Sequence, residues 1–185
     1  MEKDKLQEKI DTAIKQRSVL LFTAPSEEYH SKSLDILRIL TEKEMYGVYI
    51  TINRPFRTLK KEFKEEGIDT SRIFFIDAIS EEIGEKKEDE KNTMFLKSPQ
   101  NLTDLSIIIS EAVGTIPSDD VYLFFDSLST LTVYNSSNVV SKFTHHISNK
   151  LRKWGISGVF LSVEEEIEEK IRAGISQFCD ETVEL

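Results

Sequence analysis

Cysteine occurs once in this 185-residue chain, at Cys179, so no internal disulfide framework can form and the composition fits a reducing cytoplasm. No apolar run approaches the roughly 18 residues that cross a bilayer. The charged start Met1-Glu2-Lys3-Asp4-Lys5 lacks the apolar stretch of a signal peptide. Basic excess is missing too: 24 Lys and Arg stand against 33 Asp and Glu, a formal net charge of -9. That disfavours a nucleic-acid surface, which needs clustered cations to release counterions. Arg54, Arg57, Lys60, Lys61 and Lys64 do gather in sequence, and are read as a solvated helix face. The most informative absence is glycine. Only seven occur, and the first is Gly47.

The segment ahead of Gly47 is nonetheless laid out as the strand, loop and helix of a phosphate-binding unit. Ser18 to Thr23 reads as a buried strand, and Leu34, Ile36, Leu37, Ile39 and Leu40 sit at helical spacing. A phosphate-binding loop between them would need glycines, so that backbone N–H groups can curl around the anion without Cβ clashes. The chain instead supplies Ala24-Pro25-Ser26-Glu27-Glu28-Tyr29-His30-Ser31-Lys32-Ser33. Glu27 and Glu28 stand where the phosphates would lie, and two like charges about 4 Å apart repel by roughly 4 kcal/mol near a protein surface.

Strand-like and helix-like runs alternate along the whole length, which predicts one α/β domain with a largely parallel sheet. Strands are expected at 18–23, 47–52, 72–77, 121–126, 157–163 and 181–185, and helices at 2–15, 32–44, 56–66, 101–114, 136–153 and 164–176. Gly67 and Gly155 fall where helix C-terminal caps belong. The acidic and basic run from Glu81 to Lys91 buries too little to order itself, so a long mobile loop is expected over 80–100. Its apolar end, Met94-Phe95-Leu96, is suited to docking on the body or on a partner.

Three blocks carry a resemblance to a known family. They are Tyr46-Gly47-Val48-Tyr49-Ile50-Thr51-Ile52 with Ile73-Phe74-Phe75-Ile76-Asp77-Ala78; Val121-Tyr122-Leu123-Phe124-Phe125-Asp126-Ser127-Leu128; and Ile175 to Leu185 around Asp180. In order and spacing the chain resembles the KaiC/RecA-like P-loop ATPases, which implies a three-layer α/β/α sandwich. Against that family's G-x-x-x-x-G-K-S/T loop, Ser26 to Ser33 keeps the spacing, with Lys32 and Ser33 in the Lys and Ser/Thr places and serine at both glycines. Asp126 takes the place of the strand-end carboxylate that holds magnesium through water. Where relatives carry a pair of glutamates that activate water, this chain has Asn53 and Arg54, and neither is a general base.

The resemblance therefore implies a degenerate member with no cofactor. The expected role is a non-catalytic regulatory or scaffolding module acting through protein contacts, in self-association or with an active ATPase paralogue. One alternative is a cryptic Mg–ATP binder using Lys32, Ser33 and Asp126. Another is an unrelated enzyme with Asp77, Asp126 and Arg54 converging at the C-terminal edge of the sheet. Expected contact segments there are Thr51 to Phe56, Asp77 to Ser80 and Ser127 to Tyr134. Adjacent His145 and His146 point about 100° apart on a helix and cannot chelate one metal. Glu164-Glu165-Glu166 are expected to favour the positive end of the last helix. Cys179 reads as a buried, inert thiol.

Overall fold

Parallel pairing joins seven strands into one sheet in a computed structural model that describes residues 2–85, 91–166 and 169–185. The strands are β1 (Val19–Ala24), β2 (Tyr46–Thr51), β3 (Ile73–Asp77), β4 (Thr93–Phe95), β5 (Val121–Asp126), β6 (Ser157–Val163) and β7 (Glu181–Glu184). In space they run β4-β3-β2-β5-β6-β1-β7. The inner strands are continuous apolar runs because both faces of the sheet are covered.

Alternation within those strands divides the core in two. Val48, Ile50, Leu123 and Phe125 point to one face, closed by α4 (Leu102–Thr115), α5 (Leu128–Tyr134), α6 (Ser137–Trp154) and α7 (Glu169–Ser176). Tyr49, Tyr122 and Phe124 point to the other, closed by α1 (Glu2–Gln16), α2 (Ser26–Thr41) and α3 (Phe56–Glu65). The result is the three-layer α/β/α sandwich expected from the sequence. The six expected strands are present, each end within a residue of its expected place. Gly155 caps α6 in the left-handed conformation at φ 67°, as its position after the helix implies.

Four differences have physical reasons. The helix expected at 32–44 begins at Ser26, directly after Pro25, so the expected loop is two helical turns. Pro25 has φ -56° and ψ 147° at the N-cap, and a glycine-free run with acids in its first turn is good helix material. Residues 93–95 within the expected mobile loop form an edge strand: Asn92 O accepts from Phe75 N, and Leu96 N donates to Asp77 O. Residues 86–90 of that loop lie outside the described residues. Of the helix expected at 164–176, residues 164–166 form a turn and Glu169–Ser176 is helical, with 167–168 outside the described residues. α5, absent from the sequence reading, is nucleated by the Ser127 side chain, which accepts from Thr130 N.

Candidate functional site: a sealed carboxylate at the end of the central strand

Asp126 ends β5, the middle strand of the sheet, and is only 1% exposed. A carboxylate out of water must be compensated by donors. Three converge on it. Tyr49 Oη donates to Oδ2 at 2.7 Å, while Tyr29 Oη at 2.5 Å and Asn53 Nδ2 at 2.7 Å donate to Oδ1. Tyr49 comes from β2, whose Thr51 pairs with Asp126, so it lies two residues earlier on the same face. Its ring is fixed by stacking on Phe124 at 4.9 Å between centroids and by an edge contact with Phe63 at 5.6 Å. Asn53 is oriented in turn by Thr130, whose hydroxyl donates to its side-chain oxygen. Burial first, and the neighbouring Asp126 second, push both Tyr29 and Tyr49 well above the ordinary phenol range. Both are therefore neutral donors near neutral pH.

Tyr29 reaches Asp126 because α2 starts so early. It stands on the first turn of that helix, three residues after Ser26, and its amide bonds back to Pro25 O at 2.8 Å. The N-terminus of α2 also has an anion of its own. Glu165, in the turn after β6, accepts from Ser26 N at 2.9 Å. The helix end thus receives a carboxylate from within the chain, as its partial positive charge favours. This corrects the expected use of Glu164 to Glu166: Glu165 serves α2, and Glu164 accepts from Thr23 Oγ1 at 3.3 Å.

Lys32 and Ser33 lie farther along α2. Lys32 Nζ is 3.5 Å from Glu28 Oε2 and borders a groove of about 310 Å³ with Lys5, Leu6, Lys9 and Val183. Ser33 is 6% exposed, beside a small void lined by Phe22, Ala24, Ile36 and Leu161. Asp126 lines neither space. Asp77, at the end of β3, is wholly buried and spends its oxygens on its surroundings. It accepts from Phe56 N, Ile79 N, Ser80 N and Ser80 Oγ at 2.6–2.9 Å, which starts α3 and ties down the following turn. Arg54 Nη1 pairs with Glu62 Oε2 at 2.8 Å, and Glu62 Oε1 lies 2.8 Å from His30 Nε2. Asp77, Asp126 and Arg54, weighed as the converging set of an unrelated enzyme, thus each serve a different local partner.

The histidines separate as their helix positions require. His145 stacks on Phe178, and His146 Nε2 lies 3.1 Å from Ser106 Oγ. No group of three or more His, Cys, Asp or Glu among the described residues is placed to hold a metal ion. Burial raises the Cys179 thiol to about 12. No helix of the described residues is long and apolar enough to cross a membrane. Tyr29, Tyr49 and Glu165 were missed as site residues in the sequence. For Tyr49 a signal was present, since strand parity places it on the face of Asp126.

Comparison with known proteins agrees with this architecture. The crystal structure of the KaiC-like protein PH0186 from the hyperthermophilic archaeon Pyrococcus horikoshii OT3 superposes with a TM-score of 0.64 at 15% identity. The match covers 92% of this chain and 71% of that one. At this identity the likeness speaks to the fold, which is KaiC-like. No curated protein matches the sequence. A family model does match it over residues 17–185: the chain belongs to the family of unknown function DUF7504.

Proposed function

We propose that this chain is a non-catalytic module on a KaiC-like fold, acting through protein–protein contacts in a regulatory or signalling assembly in the cytoplasm. The observation that carries this reading is the sealing of Asp126 by Tyr29, Tyr49 and Asn53. A carboxylate that binds magnesium through water needs open lone pairs and solvent beside it. This one has three protein donors and 1% exposure.

The residues present do not fit Mg–ATP. The spacing shared by Ser26 to Ser33 and a phosphate loop is wound into helix, where each interior N–H is turned to a carbonyl four residues back. The amide at the helix entrance is taken by Glu165. In this reading the loop is a degenerate Walker A.

The partner is a second copy or an active ATPase paralogue, met at the C-terminal edge of the sheet. Of the three segments expected there, Asp77 to Ser80 is buried throughout and drops out. Val133, 75% exposed on α5, is the most open apolar side chain of the remainder.

The test is thermal unfolding with and without millimolar Mg–ATP and Mg–ADP, with Lys32→Ala alongside. A ligand at 100 times its dissociation constant adds about 2.7 kcal/mol, a visible shift for a domain of this size. The expected result is no shift. A shift abolished by Lys32→Ala would overturn the proposal and assign Lys32, Ser33 and Asp126 to nucleotide.

A further inference from the structure

The cage around Asp126 is unequal on its two sides. Tyr49 and Asn53 arrive from β2 and the residues after it, and each is held by its neighbours: the Tyr49 ring by Phe124 and Phe63, the Asn53 side chain by Thr130. Tyr29 arrives from the start of α2. There Ser26, Glu27, Glu28, His30 and Ser31 are all exposed, and Tyr29 alone is partly buried. Its ring borders the small void lined by Phe22, Ala24, Ile36 and Leu161, so part of its surface has no packing partner.

Apart from that ring, the contacts that tie this stretch to the rest of the fold are polar. Ser26 N donates to Glu165, an exposed residue, and His30 Nε2 lies 2.8 Å from Glu62 Oε1. The Tyr29 hydroxyl closes on Asp126. Few apolar contacts and solvent-exposed hydrogen bonds mark segments that open at low cost while the remainder stays folded. From Leu34 onward the same helix buries Leu34, Ile36, Leu37, Ile39 and Leu40 in the core.

We infer that Ser26 to Ser31 is a latch over Asp126. The stretch opens locally, carries Tyr29 away and bares the carboxylate, while the sheet and the rest of α2 stay in place. The inference rests on the reading of Asp126 as sealed, and adds how the seal is regulated. Glu62 also pairs with Arg54, which belongs to one of the segments proposed to meet a partner. A partner at that edge, like added salt, therefore acts on the ties that hold the latch.

Labelling of carboxylates with a carbodiimide and glycine amide, read by peptide mass spectrometry, tests the inference. It uses the full chain in rising urea below the unfolding transition, without magnesium or nucleotide. Exposed Glu111 and wholly buried Asp77 serve as references. Asp126 should label at least about 100-fold more slowly than Glu111, by a path that hardly depends on urea, while Asp77 follows the steep slope of global unfolding. Tyr29→Phe keeps the ring and should speed the labelling of Asp126 about tenfold at unchanged circular dichroism. Glu165→Ala, at an exposed position, should speed it about two- to threefold, and added salt should act in the same direction relative to Glu111. An Asp126 rate that follows the slope of Asp77 would overturn the latch and leave the seal standing. So would a rate indifferent to Tyr29→Phe. Labelling as fast as Glu111 would overturn the seal as well.

Discussion

Tyr49 joins the aromatic core to the sealed carboxylate, with its ring against Phe124, Phe63 and Phe75 and its hydroxyl on Asp126. Tyr49→Phe keeps the ring and removes one of the three donors to a buried charge, so urea denaturation should show a loss of about 1.5–3 kcal/mol. Asp126→Leu strands the Tyr49, Tyr29 and Asn53 donors together, so combined with Tyr49→Phe its loss should be smaller than the sum of the two single losses, and a double-mutant cycle would show the coupling. Gly47→Ala drives a methyl into the Tyr122 ring and should destabilise by about 1–3 kcal/mol in the same assay. The buried phenols also give a sign to the alkaline response. Tyr49 and Tyr122 have raised values in the folded protein, so above pH 10 the unfolded chain loses phenolic protons that the folded one keeps. Stability present below that pH should fall as pH rises, by about 1.4 kcal/mol per pH unit for each phenol. The phenolate absorbance should appear together with loss of structure, and Tyr49→Phe should make the fall shallower. At this scale the sequence was legible in part. Asp126 stood out as a carboxylate ending an apolar strand, and Cys179 as an unactivated thiol. The donors to Asp126 were hidden, because periodicity assigns faces and does not say which hydroxyls meet across three elements.

Among the elements, α2 is the one whose start decides the character of the site. Its entrance amide rests on Glu165, an exposed residue, so Glu165→Gln should cost about 0.5 kcal/mol at low ionic strength and less in high salt. Unfolding at two salt concentrations reads the difference. At the other end of the chain's helices, Gly155→Ala forces a Cβ into the left-handed cap of α6 and should destabilise by about 1 kcal/mol. The strands were legible because buried parallel strands are unbroken apolar runs such as Val121 to Phe125. The entrance of α2 was not, because Pro25 and the polar run behind it suit a loop as well as a first helical turn. β4 has three residues behind a highly charged stretch, and α5 has seven, too few for helical periodicity to register. The Glu164 to Glu166 run was read as serving its own helix, whereas the fold brings it to a different one.

For the molecule as a whole, the sheet order sets a constraint on how the chain acquires its structure. β1 is the first strand made, yet its neighbours are β6 and β7, the last two of the sheet. No hairpin or adjacent crossover can pair the edges of β1 while the intervening strands emerge, and of its apolar side chains only Leu20 and Phe22 lie on the face that α1 and α2 close. During synthesis this strand, one of the most apolar of the sheet, therefore has neither of its ladder partners until residue 157 has left the ribosome, and lacks one until residue 181. Pairings so distant in sequence form slowly, and an uncovered apolar strand invites association with other chains. A fragment ending at Gly155 should accordingly aggregate or remain unfolded, as light scattering and circular dichroism would show, although it holds five of the seven strands and six of the seven helices named above. Adding residues 156–185 as a separate peptide should rescue it, since that piece carries both edges against which β1 is held. The sheet is thus a clasp closed by residues 156–185, and a truncation just before them would be as damaging as the loss of β1 itself.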